Sequence, residues 1–442
     1  MTKLFGTDGI RGRAFEPPLD ETTVRRLGAA LADVLGSDCA NPQILMAGDT
    51  RASTPELAEW LASAFQAAGG RVTWGDVLPT PAVSHLVGRG EFRAGVVISA
   101  SHNPAHDNGI KILGSGGEKI DDERERRLEE RIAVAAAANG PGLPAVDNAL
   151  RARYLDQLTA GHDNKQTLAG LRVVVDAANG AASGIARQVL ERLGARVETI
   201  ASEPDGQNIN AGCGATAPEL LAERVTASGA DAGLALDGDA DRAILVDEKG
   251  RIFDGDDILL AWARRLHDQS LLPGGTVVAT VMSNLGLERT LRGEGMEMVR
   301  CPVGDRAVWL TMKKHRSALG GEQSGHIICS HHGVSGDGLT TGTQVLAIAV
   351  DQDLPVSELS RLERLPQVLL NVPVARKRPF ENLPSVAREL EEVNRQLEAR
   401  GRVLLRYSGT EPLARVMIEG EDAGEINELA ERLATSVRNE LG

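Results

Sequence analysis

Aromatic residues are scarce: 6 Phe, 4 Trp and 2 Tyr in 442 residues. Proteins that bind single-stranded nucleic acid stack its bases on aromatic side chains, so this scarcity argues against that class. Positive charge is also in deficit, with 48 Lys and Arg against 62 Asp and Glu and a net charge of −14. An acidic chain is a poor partner for nucleic acid or an anionic membrane. A small anionic substrate remains open to it, because the field in a pocket is local. Cysteine is limited to Cys39, Cys213, Cys301 and Cys329, none of them in a C-x-x-C pair. That pattern indicates neither a zinc site nor a disulfide framework and suits four reduced, mostly buried thiols. No apolar run reaches membrane-spanning length, and Met1-Thr2-Lys3-Leu4-Phe5 does not open a signal peptide. The expectation is a soluble, cytoplasmic protein with no nucleic-acid and no membrane partner.

The chain does have an ordinary hydrophobic content of 42%, enough for real cores, and a length that makes two to four domains. Three segments repeat one pattern. "QILMAGD" (43–49) leads to a helical stretch from Thr54 to Ala68, a Gly-Gly stop and "RVTWGDV". "RVVVDAANG" (172–180) leads to a helical stretch ending at Leu193, then Gly194 and "ARVETI". "TVVATVMSN" (276–284) leads to a helix ending near Arg292, then Gly295 and "MEMVRCPVG". Each reads strand, polar turn, helix, glycine stop, strand, which implies parallel pairing through a right-handed crossover. Junctions are expected at "AVAAAANGPGLPAVDNAL" (133–150), near "FDGDD" (253–257) and near Pro366 in "LERLPQVLLNVPVARKRPF" (362–380). The remainder reads helix, strand, loop, strand. The predicted fold class is therefore α/β, with three tandem related α/β domains (1–150, 151–253 and 254–366) and a smaller C-terminal α+β domain (367–442).

Four stretches carry chemistry. In "AGVVISASHNPAHDNGIKIL" (94–113) a buried strand stops at Ser99 and a polar loop follows. Such loops are common as plain turns, but strand ends of α/β sheets are also where ligands bind. Ser101 and His102 are adjacent, yet neighbours on an extended chain point apart, and the G-x-S-x-G elbow of hydrolases is missing. Lys111 interrupts the next apolar run, which brings its ammonium near the loop, able to neutralise a phosphate or donate a proton. In "LALDGDADRAILVDEKG" (234–250), Asp237, Asp239 and Asp241 alternate, so an extended backbone aims all three to one side. Three converging carboxylates repel unless a hard divalent cation binds. A calcium loop of the EF-hand kind is the rival, but Arg242 stands where its sharp turn needs Gly, and the flanks read as strands. A strand-end Mg²⁺ site fits better, with a phosphate oxygen completing its shell.

"GGEQSGHIICS" (320–330) displays Glu322, Ser324 and His326 on a glycine-framed turn. Carboxylate, hydroxyl and imidazole suit a polyol such as a sugar, although a lone His is more often structural. In "RYSGTEPLAR" (406–415), Arg406, Ser408, Gly409, Thr410 and Arg415 offer hydroxyls, backbone N–H groups and two guanidiniums, an anion cradle. Together the four describe phosphoryl transfer through a phosphoserine, which divides one hard displacement into two.

"FGTDGIRG" (5–12), "SASHNP", "DGDADR", "GEQSGH" and "SGTEP" occur in this order across nearly the whole chain. The sequence resembles the α-D-phosphohexomutases. With "VMSNLG" (281–286) and "VGDR" (303–306), it is most similar to their bacterial amino-sugar branch. The resemblance implies a heart-shaped, four-domain molecule in which each domain supplies one loop to a central cleft. It implies interconversion of glucosamine 6-phosphate and glucosamine 1-phosphate, for UDP-N-acetylglucosamine and cell-wall synthesis. Ser101 would carry the phosphate, and Asp237, Asp239 and Asp241 would hold one Mg²⁺ with a phosphoserine oxygen. Arg11, Lys111 and Arg242 would border the transferring group, with His102 beside the serine and Lys111 and His326 as proton carriers. Glu322 and Ser324 would contact the sugar. Arg406, Ser408, Gly409, Thr410 and Arg415 would bind the distal phosphate. A hexose bisphosphate would serve as activator or intermediate, and it or a kinase would supply the first phosphate on Ser101.

Closure of the last domain about residues 365–370 would exclude water. Two positions depart from the family pattern: Ala240 where glycine is frequent and Tyr407 where proline is frequent. The alternatives are a mutase of glucose or mannose phosphates, a phosphoserine-type sugar phosphatase, and a non-catalytic sugar-phosphate sensor.

Overall fold

The computed structural model describes the chain apart from residues 1–3, 7, 38, 163–166 and 409–411. Its contacts divide it into two compact units, residues 1–280 with 299–361, and residues 281–298 with 362–442.

The first unit holds three sheets. In the first, β1 (Ile10–Arg13), β2 (Gln43–Gly48), β3 (Arg71–Val77), β4 (Ala94–Ile98) and β5 (Asp107–Gly114) lie in the order β1-β5-β4-β2-β3. β2 pairs parallel to β3 and β4, as the strand–helix–strand pattern predicts, whereas β5 runs antiparallel to β4 and β1. In the second, β6 (Arg172–Asp176), β7 (Arg196–Ile200), β8 (Ala232–Leu236), β9 (Ala243–Asp247) and β10 (Ile252–Phe253) take the equivalent order β10-β9-β8-β6-β7. β6 is parallel to β7 and β8, and β9 is antiparallel to β8. In the third, β11 (Thr276–Thr280) runs parallel to β13 (Leu319–Gly321), which pairs antiparallel with β14 (Ile327–Cys329). Between them in sequence, β12 (Glu297–Cys301) spans the division between the units.

The central parallel strands are buried on both faces, which is why they read as continuous apolar runs, whereas the edge strands β3 and β7 are partly exposed. The five residues of β4 and of β8 are all buried. The helix Thr54–Ala67 buries Leu57, Ala58, Leu61, Ala62 and Phe65 at helical spacing, and packs with the helix Glu21–Gly36 over the first sheet. Each fully buried Leu or Phe there contributes about 1.5–3 kcal/mol of transfer free energy. Asp20 caps the helix Glu21–Gly36 by accepting from Thr23 N–H at 3.2 Å. Cys213, Cys301 and Cys329 are buried and reduced, and Cys39 is half-buried. No helix among the described residues is long and apolar enough to cross a membrane.

In the second unit, β15 (Gln367–Pro373), β16 (Gly401–Tyr407) and β17 (Leu413–Gly420) form an antiparallel sheet ordered β15-β17-β16. The helices Pro384–Leu397 and Ala423–Leu441 share one apolar core with it, from Val386, Val393, Leu429 and Leu433 to Val416 and Ile418. The "VMSNLG" segment belongs to this unit. Asn284 caps the helix Leu285–Gly293 through Gly286 N–H at 2.9 Å and donates to the Leu365 carbonyl at 3.0 Å. Arg402 donates to the Val281 and Ser283 carbonyls, each at 2.8 Å.

Candidate active site

Two strand-end loops of the first unit meet. The Ser101 loop leaves β4 and returns as β5, and residues 237–242 join β8 to β9. Ser101 is 2% exposed and donates its Oγ proton to Asp237 Oδ2 at 2.6 Å. Close approach needs a residue with no side chain opposite: a Cβ on Gly238 would sit 2.5 Å from the Ser101 carbonyl oxygen. The backbone of Ser101 is left-handed, with φ of 53°. That turn, not an extended chain, sets the side chains, so Ser101 Oγ lies 3.2 Å from His102 Nδ1 and the two adjacent residues do touch. Burial, and then the charges of Arg242 and Arg11, lower the His102 pKa to about 4, leaving a neutral imidazole at physiological pH.

Asp237, Asp239 and Asp241 each place one carboxylate oxygen within 4.8 Å of the others. The expected extended alternation is not how they converge. Ala240 is left-handed, with φ of 56°, and its N–H closes a turn onto the Asp237 carbonyl at 3.0 Å. An alanine in this conformation costs about 1 kcal/mol relative to glycine. The flanks are strands, as predicted, with Leu236 paired to Ala243.

Three buried carboxylates demand compensation. Asp239 Oδ2 accepts from Lys111 Nζ at 2.7 Å and from Thr80 Oγ1 at 2.5 Å. Among the described residues Asp239 Oδ1 and Asp241 Oδ1 are buried without a hydrogen-bond donor, and such orphans are costly unless a cation takes them. The cluster therefore fits a divalent metal, which takes oxygen ligands and leaves positions for others. Burial, followed by Asp241 and Asp239, raises the Asp237 pKa to about 8. Against the cost of burial, Lys111 and then His326 hold Asp241 well below the usual carboxylate range. Lys111 sits in β5 opposite Val97 and is 1% exposed. Burial opposes its charge, but Asp239, Asp8 and Asp241 outweigh that and raise its pKa; it stays an ammonium.

The other predicted residues are placed as follows. Arg11 ion-pairs with Asp8 and donates to Asn103 Oδ1 at 3.3 Å, on the serine loop. Arg242 Nε is buried 3.9 Å from Asp241 Oδ1, with no hydrogen-bond acceptor among the described residues, and the Arg242 N–H donates to Asp237 Oδ1 at 3.2 Å. Glu322 and Ser324 are joined at 3.1 Å, and Glu322 accepts from Gly304 N–H at 2.8 Å. His326 stands apart from that pair. Its Nδ1 is 3.6 Å from Asp241 Oδ1, and Gly336 N–H donates to its Nε2 at 3.3 Å. A cavity of about 270 Å³ opens beside Asp241 and His326, lined also by Lys119, Asp305 and Arg306.

Sequence reasoning missed Lys119, which pairs with Asp8 and with Asp305 at 2.5 Å. It also missed Asp49, Arg51, Thr80 and Asn210, which hold the two loops. The strand-end rule was the available signal for Asp49 and Arg51, which follow β2 directly.

In the second unit, Arg406 and Arg415 face each other across β16 and β17. Arg415 donates to Ser408 Oγ at 3.4 Å. Burial, and then Arg415, lower the pKa of Arg406, and an anion between the two would remove that conflict. Gly409 and Thr410 lie outside the described residues. Tyr407 stacks on Phe380 with centroids 4.2 Å apart, and its hydroxyl donates to the Arg378 carbonyl at 2.6 Å. It thereby anchors the base of the loop.

Models of the phosphoglucomutase/phosphomannomutase alpha/beta/alpha domains I, II and III match residues 2–138, 152–250 and 254–365, and that of the C-terminal domain matches 369–436. The chain belongs to this phosphohexomutase family. It is 44% identical over 443 residues to a phosphoglucosamine mutase of Solibacter usitatus, covering 99% of each chain. It is 44% identical over 449 residues to one of Pelotomaculum thermopropionicum, again covering 99% of each. Among solved structures, a family protein of Burkholderia thailandensis superposes with a TM-score of 0.82 at 24% identity, over 99% of this chain and 97% of that one. An N-acetylphosphoglucosamine mutase of Aspergillus fumigatus, solved with GlcNAc-6P and magnesium, gives 0.69 at 19% identity, over 99% and 96%. These likenesses establish the family's four-part α/β fold.

Proposed function

We propose that the chain is a phosphoglucosamine mutase of the cytoplasm, interconverting glucosamine 6-phosphate and glucosamine 1-phosphate through a phosphoserine at Ser101. The observation that carries this reading is the Ser101 hydroxyl, buried and 2.6 Å from one of three clustered aspartates, two of which keep an orphaned oxygen. The full-length identity to phosphoglucosamine mutases supports the amino sugar as substrate.

In the forward half-reaction the bond from phosphorus to Ser101 Oγ breaks and one forms to the free hydroxyl of the substrate, whose proton is lost as Ser101 Oγ gains one, giving a bisphosphate and a free serine hydroxyl with no net change in protons. The bisphosphate reverses its orientation. Its other phosphate then passes to Ser101 Oγ, and the isomer leaves. Asp237, Asp239 and Asp241 would hold Mg²⁺, which supplies charge neutralisation at the phosphoryl oxygens. Phosphoserine carries about −1.5 to −2 charges, and Lys111, Arg242 and Arg11 are the cations of this unit placed to offset them. Lys111, kept protonated by its aspartates, suits hydrogen bonding to the serine oxygen and neutralising its charge as its bond to phosphorus breaks. His326, its Nδ1 3.6 Å from Asp241 Oδ1, acts by helping to keep Asp241 ionised. Glu322 and Ser324 bind sugar hydroxyls. Arg406, Ser408 and Arg415, with Gly409 and Thr410, bind the phosphate that is not reacting. The first phosphate on Ser101 comes from a hexose bisphosphate or a kinase.

The test is turnover of the purified chain with Mg²⁺ and a trace of hexose bisphosphate, followed by phosphorus NMR. Strong preference for glucosamine 6-phosphate over glucose 6-phosphate is expected; equal or reversed preference replaces the reading with a broader phosphohexomutase. Two substitutions check the parts. Asp239→Asn is expected to weaken Mg²⁺ activation and lower kcat by about 10²-fold or more, and an unchanged magnesium response removes Asp239 from the metal site. Arg415→Ala is expected to raise KM by about tenfold to a hundredfold, the worth of one lost charged hydrogen bond, with Mg²⁺ activation unchanged. An unaltered KM excludes Arg415 from the phosphate cradle.

A further inference from the structure

The serine loop is held by groups that no part of the chemistry above requires. Arg51 is fully buried, and its guanidinium reaches the carbonyls of Ser101 at 3.0 Å, Asn103 at 2.8 Å and Asp107 at 2.9 Å, and that of Pro104 as well. It thus gathers three carbonyls of the loop and the first of β5 onto one rigid, planar donor, a task a lysine cannot perform. Asp49 Oδ2 neutralises it at 2.9 Å and also accepts from Ser99 Oγ at 2.6 Å. Ser99 Oγ in turn accepts from Ser101 N–H at 2.9 Å. From the second sheet's side, Asn210 Nδ2 donates to the Ser101 carbonyl at 2.9 Å and to that of Asn103 at 3.1 Å. Asn210 is itself left-handed, with φ of 57°, and its N–H is fixed to the Ala178 carbonyl at 2.9 Å.

We infer that Arg51 and Asn210 are positioning residues for the phosphoryl transfer at Ser101: they grip the Ser101 carbonyl from two sides and so aim Oγ at the aspartate cluster. The inference rests on the phosphoserine reading above. A left-handed serine is strained and persists only where its surroundings fix it. Here the amide is held through Ser99, and the carbonyl by two donors from separate loops. Ser101 is left with only its side-chain torsion to adjust. The pairing of Arg51 with Asp49 matters equally. An unpaired guanidinium under this loop would compete for the phosphoryl group, whereas the neutral pair binds carbonyls without offering a second anion site. Transfer in line demands this accuracy, since a displacement of 1 Å can cost about a hundredfold in rate.

The variant that isolates the effect is Asn210→Gly, because glycine adopts the left-handed backbone freely and only the two side-chain hydrogen bonds are lost. The expected result is a fall in kcat of about tenfold to a hundredfold, with KM for glucosamine 6-phosphate and the midpoint of Mg²⁺ activation both within about twofold of wild type. Loaded with phosphate from a hexose bisphosphate, the variant's phosphoserine should also show a displaced phosphorus resonance. Arg51→Lys, which keeps the charge beside Asp49 but not the fork, should give the same split. A wild-type kcat in Asn210→Gly overturns the inference, and so does a loss of activity that merely tracks the melting temperature. The wild-type chain, assayed in parallel, separates the two claims: if it forms no phosphoserine, the function fails, whereas if it does and the variant matches it, only the positioning role fails.

Discussion

Ser101→Ala abolishes turnover, by at least about 10⁴-fold, while the protein still folds and still binds sugar phosphate. The size follows from the role. A covalent nucleophile has no substitute, and what remains after its removal is binding and electrostatics alone. The structural cost is small. Alanine occupies the same left-handed backbone about as well as serine, and the losses are the hydrogen bond to Asp237 at 2.6 Å and the contact with His102 Nδ1 at 3.2 Å. The carbonyl remains gripped by Arg51 and Asn210. Isothermal titration with glucosamine 6-phosphate and a thermal melt complete the check: affinity within a few-fold of wild type and a modest change in melting temperature separate chemistry from folding. Appreciable mutase activity in this variant would falsify the relay through Ser101.

Lys111→Met carries the second-largest effect and acts on stability as well as rate. The side chain is 1% exposed and faces Asp239 at 2.7 Å, Asp8 at 3.2 Å and Asp241 at 3.6 Å. Methionine has the length to fill the space but leaves these carboxylates without their central cation. Breaking one partner out of a buried ion pair costs about 3–5 kcal/mol, and activity should fall by about 10³-fold through loss of positive charge at the transferring group. The two causes separate in the metal response. With its internal cation gone, the cluster should bind Mg²⁺ more tightly, so that Mg²⁺ raises the melting temperature of the variant more than that of wild type. An unchanged melting temperature, with equal Mg²⁺ shifts in both proteins, would show that Lys111 does not compensate the aspartates.

How much of this was legible in the sequence depends on the range of each interaction. The strands at 43–48, 172–176 and 276–280 and the parallel pairings of the first two units of the repeat followed from apolar runs and glycine stops, which are local signals. So was the placing of Ser101 and the three aspartates at strand ends, since polar runs that interrupt buried strands have few other uses. Local geometry was misread where a backbone turns left-handed at a residue other than glycine. Ser101 and Ala240 are such residues, and both the contact between Ser101 and His102 and the convergence of the aspartates depend on them. The grouping of Glu322, Ser324 and His326 was only half right in space, because the turn sends His326 toward Asp241. The charge network was illegible. Lys119 finds Asp8 and Asp305, and Arg51 finds carbonyls of the serine loop, across separations that leave no periodic trace. Tyr407 departs from the family pattern without penalty because Phe380 and the Arg378 carbonyl supply its partners.

The measurement that bears most directly on the whole account is the fate of one phosphate group. The chain is incubated with a hexose bisphosphate labelled in its phosphates, freed of small molecules, and digested for mass spectrometry. The account predicts one labelled phosphate per chain, on Ser101, that moves to glucosamine 6-phosphate when that sugar is added and leaves in the glucosamine 1-phosphate formed, while Ser101 takes up the sugar's own unlabelled phosphate. Label found on no residue, or released as inorganic phosphate as fast as the sugar phosphate is consumed, would contradict it.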